Sequence, residues 1–150
     1  LGCYTTSISL LIASLIKNLK ISNFKIENIK TEYFDSDIDV SSFAKINFEN
    51  RFHSYISASF TENIGSHTSI IGEDGIIYLE NSWNPEKNIL RVSGKFNEEK
   101  IYKTKKNIYS LEIENISKDI IENKTESSFP GPSKKHIFFN NKLINEWIGE

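Results

Sequence analysis

Residues 43–60, Phe-Ala-Lys-Ile-Asn-Phe-Glu-Asn-Arg-Phe-His-Ser-Tyr-Ile-Ser-Ala-Ser-Phe, decide the fold of this 150-residue chain. Apolar and polar side chains alternate on both sides of a short polar turn near residue 50, and Ala44, Ile46 and Phe48 share one face. A period of two indicates a half-buried strand, and two such segments joined by a short loop indicate an antiparallel hairpin. The sequence therefore predicts a sheet with one buried face.

A second hairpin is predicted at residues 67–80, where an Asp-Gly pair at 74–75 separates two apolar segments. Asp-Gly readily adopts the positive φ angles of a two-residue primed turn, which favours a tight connection here. Segments 21–34, 89–96 and 100–105 have the pattern of further strands. The central part of the chain thus predicts about six to seven strands.

Helices are predicted at both ends of the chain. The segment 8–16 is apolar almost all round, which predicts burial on most sides, and the hydroxyl residues at 5–7 can cap its first turn. Two more helices are predicted at 109–124 and 133–148, the latter capped by Ser133. Their apolar side chains at helical spacing are Tyr109, Ile113, Ile116 and Ile120 in the first, and Ile137, Ile144 and Ile148, with Leu143 and Trp147 alongside, in the second.

These elements together predict an α+β fold: an open, largely antiparallel (mixed) β-sheet of about six to seven strands, with helices packed on one face. The length fits a single domain over residues 1–150. Because the sequence contains no Met, we expect a fragment, a processed form or an excised domain.

The composition argues against several classes of function. The net charge of −2 provides no positive field for nucleic acid, and the apolar segment at 8–16 is much shorter than the ~20 residues that span a bilayer. Cys3 is the single cysteine, so no intramolecular disulfide forms. A cytoplasmic protein is expected, with Cys3 as a small buried thiol.

A metal site is not predicted. His53, His67 and His136 are scattered and lack the spacing of metal ligands, so they are expected on strands or on the surface. The acidic residues at 35–39 lack the Gly and the distal Glu of a calcium loop, which favours a solvated turn.

Two further groups of residues have competing interpretations. The lysines at 100–106 suit a nucleic-acid patch poorly at this net charge, and protection of an edge strand is favoured instead. Trp83 and Asn84 could border a sugar site through stacking and hydrogen bonds, or cover a corner of the sheet, and both interpretations stay open.

The start of the chain carries a motif: Gly2-Cys3-Tyr4, followed by Ser7, leads directly into the first helix. It resembles the "G-C-Y-x-x-S" helix start of the C-terminal domain of Gfo/Idh/MocA oxidoreductases. Four more segments are similar to that domain in the same order, namely the strand 44–48, the hairpin 71–79, the helix 109–124 and the closing helix 133–147.

This resemblance implies an enzyme of two domains, in which an N-terminal Rossmann domain binds NAD or NADP. The present sequence contains no G-x-G-x-x-G motif, so the resemblance assigns the cofactor to a missing domain and implies that the 150 residues alone are inactive. It also implies hydride transfer with a sugar, an inositol or a related hydroxy compound, and a homo-oligomer formed through the sheet face.

Tyr4 is the candidate catalytic residue. Oxidation of a secondary alcohol needs a hydride acceptor and a base for the hydroxyl proton. A free tyrosine, with a pKa of about 10, is a weak base at neutral pH, and a lysine of the missing domain would favour the phenolate. The resemblance implies that Tyr4 is this acid/base or orients the substrate. The alternative is that Tyr4 packs against the first helix with its hydroxyl hydrogen-bonded.

Two other functions stay open at this point. One is a stand-alone ligand-binding or dimerisation module with a helix-covered antiparallel sheet. The other is a cone-shaped α+β enzyme of the ketosteroid isomerase type, which requires an Asp or Tyr dyad in a pocket between helix and sheet.

Overall fold

The computed structural model describes residues 2–35, 38–83, 87–104, 106–125 and 133–149. The chain divides into two compact units, Leu1–Ile64 with Glu126–Glu150, and Gly65–Thr125. The elements of the described part are α1 (Cys3–Leu15), β1 (Phe24–Phe34), β2 (Ile38–Phe48), β3 (Phe52–Ser59), β4 (Thr68–Gly72), β5 (Gly75–Leu79), β6 (Lys87–Gly94), β7 (Glu98–Lys103), α2 (Ile108–Ile121) and α3 (Lys134–Ile148). The single domain over residues 1–150 stays a prediction.

The α+β class and the number of strands are confirmed. The strands are distributed over two antiparallel sheets, with the order β1-β2-β3 in the first unit and β4-β5-β6-β7 in the second. The first hairpin, predicted from the alternation at 43–60, is formed by β2 and β3, and Phe48 pairs with Phe52 across its turn. Strand β2 begins earlier than predicted, at Ile38, so that Asp39 belongs to the strand.

The core of the first unit lies between the sheet β1-β2-β3 and the helices α1 and α3. Strand β2 contributes Ala44, Ile46 and Phe48, all fully buried, because alternate side chains of a strand point to the same face. Leu10 of α1 and Leu143 of α3 are fully buried in the same cluster. On the opposite face of the sheet, Lys45 pairs with Glu27 of β1 at 3.1 Å.

Helix α1 begins five residues earlier than predicted, at Cys3, with Gly2 as its N-cap. The hydroxyls expected as caps lie inside the helix, where Thr5 Oγ1 donates to the Gly2 carbonyl at 2.7 Å. Burial is also less complete than the apolar sequence predicts, because only one face of α1 packs on β3 and α3. That face consists of Thr6, Ser9, Leu10 and Ala13.

The second unit is built on an antiparallel meander. The hairpin predicted at Asp74-Gly75 forms, but its two turn residues are Glu73 and Asp74, and Gly75 pairs with Gly72 as the first residue of β5. Gly75 has a φ of 147°, and a Cβ placed there would overlap the backbone of Ser93. A glycine is therefore required by the close approach of β5 and β6.

Helix α2 exposes its apolar stripe. Tyr109, Ile113, Ile116 and Ile120 have the predicted helical spacing, yet between 57% and 67% of each residue is exposed. Among the described residues, every buried apolar side chain belongs to the first unit. The second unit therefore keeps much of its apolar surface open.

Candidate functional site at the start of helix α1

Tyr4 lies on the first turn of α1, and 70% of it is exposed. The N-terminal end of a helix carries a partial positive charge from its backbone N–H groups, and α1 contains no Asp, Glu, Lys or Arg that would alter this field. A phenol in this place is accessible to a small molecule. Its hydroxyl can exchange a proton or a hydrogen bond with an alcohol.

The backbone before Tyr4 is fixed by contact with α3. Gly2 adopts a left-handed conformation with a φ of 88°, which glycine tolerates best. A Cβ at this residue would also overlap the Cζ3 and Cη2 atoms of Trp147, whose own exposure is 3%. The glycine thus lets the indole pack directly on the chain at the start of α1.

A hydrogen bond connects the next turn of α1 to α3. Ser7 Oγ lies 3.0 Å from His136 Nε2, and His136 is 6% exposed. The backbone N–H of His136 donates to Ser133 Oγ at 3.1 Å, which caps α3 as the sequence predicted. Burial lowers the pKa of the His136 imidazole, against a smaller opposite effect of a hydrogen bond with the backbone of Ser7.

A second polar contact joins α1 to the sheet. Ser9 Oγ donates to the carbonyl of Thr5 at 2.7 Å and lies 2.7 Å from Ser54 Oγ of β3. Ser9 is buried, and these bonds satisfy its hydroxyl. Helix α1 is therefore held by hydrogen bonds to two different elements.

The buried face of α3 differs from the predicted apolar stripe. His136, Leu143 and Trp147 are buried, whereas Ile137 and Ile148 are about half exposed. Both sets of residues have helical spacing, and the set with His136, Leu143 and Trp147 is buried because it faces α1 and the sheet. The pairing of Ser7 with His136 was missed, since no local signal links residues so far apart in sequence.

Several other predicted residues belong to parts of the sequence other than α1. His53 is on β3 and His67 precedes β4, where its ring stacks on Tyr78 with centroids 5.7 Å apart. Trp83 is 40% exposed, and Asn84 is outside the described residues. Of the acidic cluster, Asp35 is exposed at the end of β1, and Asp37 lies outside the described part.

The structure also shows the surroundings of Cys3 and of the lysines at 100–106. Cys3 is exposed rather than buried, because it lies on the first turn of α1 outside the face that packs on the sheet. Lys100 and Lys103 lie on β7, an edge strand of its sheet, as expected for lysines that protect an edge. Lys106 pairs with Glu114 at 2.7 Å, and Lys105 is not among the described residues.

Neither a metal cluster nor a spanning helix is found in the described part of the chain. No group of three or more His, Cys, Asp or Glu side chains there could hold a metal ion. No helix in the same residues has the length and apolar character needed to cross a membrane. Between α1, α3 and their sheet, the space is filled by buried apolar side chains such as Leu10, Phe48 and Leu143, which disfavours an isomerase-type pocket there.

The fold defines an α+β class in which helices at both ends of the chain cover an antiparallel sheet. No family model matches the sequence, and no curated protein matches it significantly. A solved structure, that of aldose-aldose oxidoreductase from Caulobacter crescentus complexed with glycerol, is similar over 95% of this chain with a TM-score of 0.68. At 12% identity this similarity shows a shared fold, and the present chain spans 42% of that protein.

The contact of Gly2 with Trp147 can be separated from backbone strain by comparing two glycines. Gly2 and Gly149 have φ angles of 88° and 84°, but a Cβ at Gly149 would meet nothing within 4 Å. An alanine at either position must adopt the left-handed backbone conformation, so both variants lose stability for this reason. The free energy of unfolding of Gly2→Ala should fall by about 1–3 kcal/mol more than that of Gly149→Ala, because the added methyl group overlaps the indole. Urea unfolding followed by Trp147 fluorescence in a Trp83→Phe background measures the difference. Equal losses would contradict the contact.

The lowered pKa of His136 predicts a stability that depends on pH. The unfolded state binds this proton more tightly than the folded state, so the contribution is complete above the ordinary histidine pKa of about 6.5 and is lost as pH falls below it. The free energy of unfolding from urea titrations at several pH values should therefore decrease in that window. His136→Gln should remove this step, and an unchanged pH profile in that variant would show that another group causes it.

Proposed function

We propose that this chain is the substrate-side C-terminal domain of an NAD(P)-dependent oxidoreductase. The proposed reaction is hydride transfer between the nicotinamide and a CH–OH group of a sugar, an inositol or a related hydroxy compound. Tyr4 is the group that exchanges the hydroxyl proton or orients the substrate.

One observation carries this proposal: an exposed tyrosine stands on the first turn of α1, within a Gly-Cys-Tyr motif, at the beginning of a domain with this fold. The similarity to part of an aldose-aldose oxidoreductase supports it, since such an enzyme combines a domain of this fold with additional chain. The glycerol in that structure has the polyol chemistry of the proposed substrates.

The cofactor is assigned to a separate Rossmann domain. The 150 residues have no G-x-G-x-x-G loop, the element that brings a helix N-terminus to the pyrophosphate of NAD or NADP. In this proposal the present chain supplies the proton-transfer group, and the Rossmann domain supplies the hydride acceptor. A lysine of that domain would lie near Tyr4 and favour its phenolate form.

A cytoplasmic homo-oligomer belongs to the same proposal. Ile71, Ile76 and Ile101 lie on one face of the second sheet and are all exposed, which supports association through that face. Sedimentation equilibrium of the full-length protein tests this part, and a monomer at micromolar concentration would remove it.

Replacing Tyr4 by Phe in the full-length enzyme should lower turnover by about 100-fold or more, because the proton-transfer group is lost. Formation of reduced nicotinamide with a panel of sugars, inositols and polyols measures the rate. Tyr109→Phe is the matched control, since Tyr109 also stands on the first turn of a helix and is 67% exposed. Turnover that falls equally in both variants, or in neither, would sink the role of Tyr4.

The 150-residue chain alone should show no saturable binding of NADH or NADPH. This follows because the phosphate-binding loop lies outside it. Titration calorimetry or quenching of the two tryptophans measures binding. A dissociation constant in the micromolar range would overturn the assignment of the cofactor to another domain.

A stand-alone binding or association module is the second candidate, and the exposed stripe of α2 favours it. Four apolar side chains on one helix face are unusual on a surface that contacts only water. The reading frame that encodes the chain separates the candidates. A preceding Rossmann domain with a glycine loop supports the oxidoreductase, and its absence supports the module.

A further inference from the structure

We propose that the hydrogen bond between Ser7 and His136 positions Tyr4. His136 is thus assigned as a positioning residue for the reaction of α1, and this inference rests on the function proposed above. The contact lies one turn after Tyr4 on α1 and reaches to the first turn of α3.

Helix α3 holds α1 on both sides of Tyr4 in sequence. Trp147, near the end of α3, packs on Gly2, and His136, near its beginning, bonds to Ser7. The two α3 residues are three helical turns apart, whereas the two α1 residues are five positions apart, with Tyr4 between them. A displacement of α3 therefore acts directly on the turn that carries the tyrosine.

The two contacts fix different degrees of freedom. The indole packed against Gly2 sets how closely α3 approaches the start of α1, because apolar contact has little directional preference. A hydrogen bond is directional, so the 3.0 Å contact of Ser7 Oγ with His136 Nε2 restrains the rotation of the first turns of α1 about the helix axis, in addition to the bond between Ser9 and Ser54. That rotation determines where the Tyr4 hydroxyl points.

His136 is suited to this role by its surroundings. Its ring is buried, which restricts the rotation of the imidazole, and its backbone N–H donates to the capping Ser133, which holds the backbone of this residue in place. Ser7 lies within α1, so the backbone that carries its hydroxyl is fixed by the helix. Burial also strengthens a hydrogen bond relative to one formed in water.

The size of the effect follows from the sensitivity of catalysis to geometry. A misplacement of about 1 Å at the reacting groups costs on the order of 100-fold in rate. A rotation of α1 by a fraction of a turn moves the end of the Tyr4 side chain by a comparable distance. Loss of the Ser7–His136 bond should therefore lower kcat about 10- to 100-fold, with KM for the nicotinamide unchanged.

The test uses the full-length protein and five variants, four single and one double. Ser7→Ala and His136→Leu remove the bond, and the double variant should lose no more than either single one, because both act through one contact. His136→Gln offers a side-chain amide that can bond to Ser7, so this variant should keep most of the wild-type kcat. Ser14→Ala is the matched control, since its hydroxyl bonds within α1, to the Leu11 carbonyl at 2.6 Å, and is far along the helix from Tyr4.

A second readout does not depend on activity. In protein labelled with 13C-tyrosine, the ring resonances of Tyr4, identified by their loss in Tyr4→Phe, should shift in Ser7→Ala and His136→Leu. They should stay in place in Ser14→Ala and return toward wild type in His136→Gln. The melting temperature of each variant shows how much of any change in rate comes from unfolding.

The outcomes separate the two proposals. A fall in kcat together with shifted Tyr4 resonances supports the positioning role. If the Tyr4 resonances shift but the protein oxidises no tested alcohol, the structural effect of the contact is supported and the proposed function is contradicted. If Tyr4→Phe abolishes turnover while Ser7→Ala and His136→Leu leave kcat and the Tyr4 resonances unchanged, the positioning role is overturned and the function stands.

Discussion

Burial of one face of β2 is the interaction on which the first unit depends. Ala44, Ile46 and Phe48 are fully buried and lie in the central strand of the sheet β1-β2-β3, where α1 and α3 cover them. Removing each large side chain from water contributes roughly 1.5–3 kcal/mol. Because both helices contribute side chains to this core, the helix start that carries Tyr4 rests on a unit that the buried face of β2 holds together.

The alternation of apolar and polar residues was sufficient to predict the strands. A period of two identified the hairpin at 43–60, and a period of 3.6 identified the apolar stripe of the helix at 109–120. Both periods are local properties set by backbone geometry. The face of α3 could not be chosen in this way. Two sets of its residues share helical spacing, and burial of His136 and Trp147 rather than Ile137 and Ile148 depends on contacts with α1 and the sheet.

The candidate site shows the same division between local and distant information. The motif at the start of the chain pointed to Tyr4, and the structure places this residue exposed on the first turn of α1. The role of Gly2 follows from a tryptophan near the other end of the chain, and the partner of Ser7 is a histidine 129 positions away. A single sequence contains no physical signal for such pairs, because neither propensity nor periodicity extends over that distance.

The two units differ in how completely they cover their apolar residues, and this difference bears on function. The first unit closes its core with two helices, which gives Tyr4 a rigid support, and precise chemistry requires such support. The second unit leaves the stripe of α2 and the isoleucines of one sheet face exposed. A sheet gains stability when one face is covered, so these exposed surfaces are the ones to which the proposed association is assigned. The proton transfer proposed for Tyr4 and the association proposed for the second sheet are therefore compatible in one chain, since they involve different elements.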